Sequence, residues 1–128
     1  MARDNRNFVL VTAGTSCSAS GVRRGTVDLR SADVGIVTFK ITNGGTGPTA
    51  QCEARIMIAH TTGATPTTAS AGTDWKTIYR IGGGTANNAV TEGSYEFGAG
   101  LQHLQVEFTG NTVQDVVVEA YGSFTKYT

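Results

Sequence analysis

The sequence predicts an all-β fold, an antiparallel sandwich of the jelly-roll kind with about eight short strands. Three observations predict it. Leu104, Val106 and Phe108 alternate with Gln105 and Glu107, the two-residue period of a strand with one buried and one wet face. Gly110–Asn111 then supplies residues that tolerate positive φ, and a second apolar run, Val116–Tyr121, follows. The same order of short strand, Gly/Thr/Asn turn and short strand recurs along the chain. Composition agrees: there are 17 Gly and 20 Thr, and charged residues make up only 16%. Thr is β-branched and suits a pleated surface.

The elements follow in order. Residues 1–7 are polar and are expected as a flexible N-terminal arm. One sandwich domain, residues 8–128, comes after it, since 128 residues leave no room for a second core. Phe8–Ala13 reads as the first strand and Gly14–Gly21 as a loop. In Gly25–Arg30, Val27 and Leu29 share a side. In Ile36–Thr42, Val37, Phe39 and Ile41 face one way while Thr38, Lys40 and Thr42 face the other. Asn43–Pro48 is a turn, and Gln51–His60 is a strand with Cys52, Ala54, Ile56 and Ile58 on its core side. Thr61–Thr73 is an Ala/Thr/Ser/Gly loop longer than most connections, expected as a tip or an ordering arm. Asp74–Ile81 is a strand with Trp75, Thr77, Tyr79 and Ile81 on one side. Gly82–Asn88 reads as a second long, flexible loop. Tyr95 and Phe97 mark a short strand, and Leu101–Phe108 and Val116–Tyr121 complete the set. Trp75 lies after both cysteines, so the Cys–Trp–Cys order of an immunoglobulin domain is absent.

Formal net charge is zero, with ten basic and ten acidic residues. That argues against a nucleic-acid binder, which needs a basic stripe to displace counterions. The one basic cluster is Arg23–Arg24, with Arg3 and Arg6 in the tail. No segment approaches the ~20 apolar residues of a membrane-spanning helix. Phe8–Gly14 is too short and too broken by Thr12 for an export signal. The expected setting is therefore a reducing cytosol, with Cys17 and Cys52 as free thiols. A near-neutral surface is also poorly protected against association, as befits a protein covered by copies of itself or by a partner.

Chemistry is harder to find. His60 and His103 belong to no catalytic or metal motif, and His103 shares parity with Gln105 and Glu107, the expected outward face. Gly82–Gly84 lacks the Gly-Lys-Ser/Thr that would make a phosphate loop. No catalytic residue, cofactor or metal site is assigned, and no enzyme is expected. Trp75 and Tyr79, four apart on a strand, would point the same way about 13 Å apart. Exposed, they would form an aromatic platform for sugar rings, with Asn87 and Asn88 beside it; turned inward, they are core residues.

The stretch from Gly93–Phe97 through Leu101–Thr112 to Val116–Gly122 resembles small structural proteins of tailed bacteriophages. Its Gly-Asn-Thr turn at residues 110–112, between two amphipathic strands, is similar to that of β-sandwich head-decoration (cement) proteins and related tail proteins. The resemblance implies a non-enzymatic virion component, made in the host cytoplasm and assembled as a homotrimer. Such a protein binds the major capsid protein on the outside of the head and stabilises the shell. Contacts with partners are then expected from the N-terminal arm and the two long loops: Arg3, Arg6, Asn7, Thr65, Pro66, Gly83 and Asn87. The alternative is a carbohydrate- or receptor-binding sandwich, for example on a phage tail, that uses Trp75 and Tyr79.

Overall fold

A computed structural model describes residues 2–60 and 75–128. Among the described residues there are eight strands: β1 Arg3–Cys17, β2 Val22–Asp28, β3 Val34–Asn43, β4 Glu53–Ala59, β5 Trp75–Gly82, β6 Val90–Phe97, β7 His103–Thr109 and β8 Val116–Tyr127. They form two four-stranded sheets, ordered β1-β8-β3-β6 and β2-β7-β4-β5. Every pairing is antiparallel.

The order has a simple origin. β1 pairs with β8, β2 with β7, β3 with β6 and β4 with β5. The chain is thus one long hairpin whose successive strand pairs fall alternately in one sheet and then the other. Pairing of β3 with β8 and of β4 with β7 closes the roll. This is the jelly roll that the turn and strand pattern predicts.

The core lies between the sheets and follows the alternation. Val37, Phe39 and Ile41 of β3 and Val116, Val118 and Ala120 of β8 meet Ala54 and Ile56 of β4 and Leu104, Val106 and Phe108 of β7. Cys52 joins them; Ile58, expected alongside it, is only half-buried. Burying such side chains contributes roughly 1.5–3 kcal/mol each, which makes this core the main source of stability.

Three inward positions that break the apolar alternation are glycines, each covered by a ring from its cross-strand partner. Gly93 lies opposite Phe39, Gly35 opposite Phe97 and Gly122 opposite Phe8. A Cβ at Gly93 would lie 2.6 Å from Phe39 Cζ, and Cβ atoms at Gly35 and Gly122 would strike the rings of Phe97 and Phe8. The aromatic ring fills the space its partner leaves empty and shields the backbone. Gly93 also explains why β6 runs over Val90–Phe97 rather than the short stretch expected around Tyr95 and Phe97. An inward glycine carries no hydrophobic signal.

The segment expected as a loose arm is instead part of β1. Arg3–Asn7 pair residue by residue with Tyr127–Ser123, and Ala2 and Thr128 exchange two backbone hydrogen bonds of 3.0 and 3.1 Å. The stabilising groups there are backbone amides and carbonyls, which leave no side-chain pattern to read. Register shifts between Val9 and Val11 and between Val11 and Thr15, with Gly14 at φ 81°, offset β1 against β8.

Gly25 of β2 lies directly against the backbone carbonyl of Leu10, where a methyl group has no room. Gly25→Ala is therefore expected to destabilise the fold by about 3 kcal/mol, because a backbone carbonyl cannot rotate aside. Gly93→Ala, which meets only side chains, the Phe39 ring and Ile81, is expected to cost about half as much. Urea unfolding midpoints at constant slope measure the difference.

Candidate functional site

The outer face of the β2-β7-β4-β5 sheet is the first surface with chemistry on it. Register places Arg24, Glu107, Arg55 and Arg80 in one row, one residue from each strand. Glu107, its side chain only 2% exposed, accepts from Arg24 Nε at 3.3 Å and lies 3.6 Å from Arg55 Nη1. Arg55 also bridges to Glu53 at 3.2 Å, and Arg80 approaches Glu53 at 4.0 Å. In the next row Thr26 donates to Gln105 Oε1 at 3.3 Å, and Gln105 Nε2 contacts Met57 Sδ at 3.2 Å.

His103, Gln105 and Glu107 were expected on a wet face but are 5%, 0% and 1% exposed. β7 is an inner strand, so long side chains from β2 and β4 close over its outward residues. The row is a satisfied ion-pair network. Among the described residues no cluster of three or more His, Cys, Asp or Glu could hold a metal ion.

The aromatic platform does not form. Trp75 lies opposite Ala59 and packs with Met57 and Ala59, 3% exposed. Tyr79 lies opposite Ile56, a core position, and its ring stands 6.2 Å from Phe39 and 6.1 Å from Tyr95. The reason is a bulge. Ile56 and Met57 face Tyr79 and Thr77, so Ile78 is the extra residue and the face presented by β5 switches there. Trp75 and Tyr79 thus lie on opposite faces of the sheet.

The loops at one end of the sandwich are stitched together by two buried asparagines. Asn43 Nδ2 reaches the carbonyls of Gly83, Gly84 and Ala86 at 3.5, 3.2 and 2.9 Å. Asn111 Nδ2 reaches those of Cys17, Ser18 and Gln114 at 3.0, 3.3 and 3.0 Å. Thr112 and the 49–50 segment exchange backbone hydrogen bonds of 3.1 and 3.3 Å, and Ser20 N–H donates to Asn111 O at 2.8 Å. The loop at residues 82–88, expected to be flexible, is therefore pinned. Gly83 is buried against Ile41 and donates to Cys52 O at 2.8 Å, which removes it from the candidate contacts. Asn87 is exposed, and its side-chain oxygen accepts from Gly47 N–H at 2.8 Å. Val113 stands at the tip of this end, 69% exposed and at φ 73°, a conformation costly for a β-branched residue.

The outer face of the β1-β8-β3-β6 sheet is the open one. Register aligns Val9, Tyr121, Thr38 and Ser94 in one row and Glu119, Lys40 and Glu92 in the next. Beyond them, Val117 and Val90 both lie opposite Thr42. Val9, Val90 and Val117 are 57%, 55% and 43% exposed. Two adjoining depressions of about 490 and 310 Å³ share Thr38 and Tyr121; the larger reaches Lys40, Glu92 and Glu119, and the smaller reaches Asn7, Val9 and Ile36.

Of the residues proposed from sequence, the structure gathers few. Asn7 borders this face, while Arg3 and Arg6 are exposed along the β1 edge, Arg6 Nε donating to Asp4 Oδ2 at 3.1 Å. Thr65 and Pro66 lie outside the described residues. The face itself went unread in the sequence. Its one sequence signal is Val116–Val118, an unbroken apolar run where strict alternation would put a polar residue at Val117.

Two outcomes are expected from this arrangement. Asn111→Ala removes three hydrogen bonds to loop carbonyls and is expected to cost about 3 kcal/mol, with faster amide exchange at Ser20 and Gly21. Arg55→Ala leaves the buried Glu107 with Arg24 alone and is expected to cost about 2 kcal/mol. Arg80→Ala, at a distance of 4.0 Å from its partner and 57% exposed, is expected to change stability by no more than about 0.5 kcal/mol.

No family model matches the chain, and no curated protein matches it. Solved structures do. A SPBc2 prophage-derived protein, YomS, is 20% identical, with 98% of this chain and 96% of that one covered and a TM-score of 0.49. The K3 cleaved adhesin domain of Lys-gingipain from Porphyromonas gingivalis is 10% identical, with 82% and 65% covered and a TM-score of 0.56. A chain of infectious bursal disease virus, Gx strain, is 9% identical, with 98% and 33% covered and a TM-score of 0.50. At these identities the likeness is one of fold: the chain is similar to β-sandwich proteins of several different kinds.

Proposed function

We propose that the chain is a non-enzymatic structural protein of a bacteriophage virion, a decoration or cement protein that binds the outside of the head as a homo-oligomer, with a trimer favoured. The observation that carries this reading is the open face of the β1-β8-β3-β6 sheet. It combines exposed Val9, Val90 and Val117 with a Glu119–Lys40–Glu92 row. The occupant of that face is a second copy of this chain, because two Glu119–Lys40–Glu92 rows offset by one residue set each Lys40 against a glutamate of the other copy. Exposed β-branched side chains around it supply apolar area to bury. The stitched loop end, with Val113 at its tip, is then left to meet the coat protein. Each copy that bridges coat subunits adds buried area and stabilises the shell by mass action.

Support for a virion setting is architectural: a chain of infectious bursal disease virus shares the fold. The carbohydrate-binding alternative loses its platform, because Trp75 is buried and Tyr79 faces the other way.

Light scattering across a dilution series tests the proposal. A closed oligomer is expected, and Val117→Asp is expected to shift it to monomer, weakening association at least tenfold. Its melting temperature should change little, because Val117 lies outside the core. A wild-type chain that stays monomeric at high concentration, or an oligomer indifferent to Val117→Asp, overturns the assignment of this face.

A further inference from the structure

The β1-β8-β3-β6 sheet ends in two open edges. Among the described residues, β1 pairs only with β8, and β6 pairs only with β3. Each edge strand thus turns one row of backbone donors and acceptors away from the sheet. β1 keeps its register from Arg3 to Val9, and β6 keeps its own from Val90 to Phe97, so each edge is free of bulges over at least seven residues. Neither run contains a proline or a lysine, two common guards of an exposed edge.

The two edges match in charge. Arg3–Val9 carries two arginines and one aspartate, Asp4, which is bonded to Arg6. β6 carries Glu92 and Glu96 and no cation. Arg3 and Glu96 are exposed and, among the described residues, form no ion pair. Each edge also holds an exposed valine, Val9 at 57% and Val90 at 55%.

They match in direction as well. β1 runs opposite to β8, β8 opposite to β3 and β3 opposite to β6, so β1 and β6 are themselves antiparallel. A copy set alongside with its strands running the same way presents its β1 antiparallel to β6, and the sheet continues. The odd-numbered residues of Arg3–Val9 and the even-numbered residues of Val90–Glu96 lie on the outer face. Of the registers that keep those residues together, one sets Arg3 opposite Glu96 and Val9 opposite Val90 at the same time. It also puts Asn7 against Glu92, and no two like charges meet.

We propose that β6 of one copy pairs with Arg3–Val9 of the next in that register, so that the β1-β8-β3-β6 sheet runs on from copy to copy. This rests on the reading that the chain assembles with itself. The joint is head-to-tail: each copy offers β6 to one neighbour and β1 to the other, and repetition about an axis along the strands closes a ring. A two-stranded ladder is marginal in water on its own, so edge and open face hold the oligomer together. Arg3 and Asn7, expected from sequence as contacts, then meet a partner.

Charge reversal tests the register. Arg3→Glu and Glu96→Arg are each expected to weaken association about tenfold in light scattering across a dilution series, because each sets like charges opposite one another. Combined in one chain they restore an opposite pair, and association is expected to return to within about threefold of wild type. Both residues are exposed, so unfolding of the dilute chain should not move. Val9→Cys/Val90→Cys, mildly oxidised, should give disulfide-linked oligomers on a denaturing gel. Val9→Cys/Glu92→Cys, out of register, should link far more slowly. Cys17 and Cys52 are buried and stay out of the reaction. A double reversal no better than its singles, or cysteines that link no faster in register than out of it, overturns the proposal and leaves the edge to a strand of another protein. An oligomer that Val117→Asp dissociates but Arg3→Glu leaves whole overturns the edge joint alone. A monomeric wild-type chain overturns the self-assembly reading along with it.

Discussion

The register of β8 is the constraint on which the rest of the structure depends. Val116, Val118 and Ala120 enter the core because Val118 stands opposite Ile41 and Ala120 opposite Phe39. A slip of one residue would put Val117, Glu119 and Tyr121 inside and bury a carboxylate with no partner. The same register sets Gly122 opposite Phe8 on β1, where only a glycine leaves room for the ring. It also aligns Glu119 with Lys40, so the open face owes its charge row to the packing beneath it. Core, edge strand and surface are fixed by one alignment.

Much of this was legible in the sequence, and the boundary of legibility is physical. Alternation identified β3, β7 and β8 and the residues they send inward, because a half-buried strand writes its geometry into its hydropathy. Three features escaped. The Arg3–Asn7 segment pairs through backbone groups alone. β6 hides an inward position behind a glycine, and only the partner Phe39 completes it. Trp75 and Tyr79 share parity in the sequence, but the bulge at Ile78 breaks that parity in space. A bulge leaves no mark in a single strand's composition, since it is a property of the pairing.

The candidate site was less legible than the fold for a related reason. Glu107 and Gln105 alternate with apolar residues and so read as a solvent face. Their burial depends on Arg24, Arg55 and Met57, which lie far away in the chain and arrive only through cross-strand register. Conversely, the surface that is open carries valines, which a pattern analysis assigns to the interior. Polar residues under cover and apolar residues in the open are the combination that strand periodicity cannot distinguish from its opposite. The asparagines of the loop end make the same point on a smaller scale. Asn43 and Asn111 read as turn residues, yet each acts as a buried donor that joins separate loops.

The rolled hairpin has a consequence in time. β1 finds its hydrogen-bonding partner only in β8, and Ala13 N–H bonds Tyr121 Oη across 108 positions of chain. During synthesis the first strand emerges long before the strand that satisfies it, with Phe8, Leu10 and Val11 exposed throughout. Loop closure on that scale has to precede the contacts that reward it, and all-β chains of this kind fold in roughly milliseconds to seconds. The nascent chain therefore spends its most vulnerable interval as an unpaired, apolar edge. The low charge of the chain, 16% of its residues, gives that edge little protection from its neighbours on the same polysome.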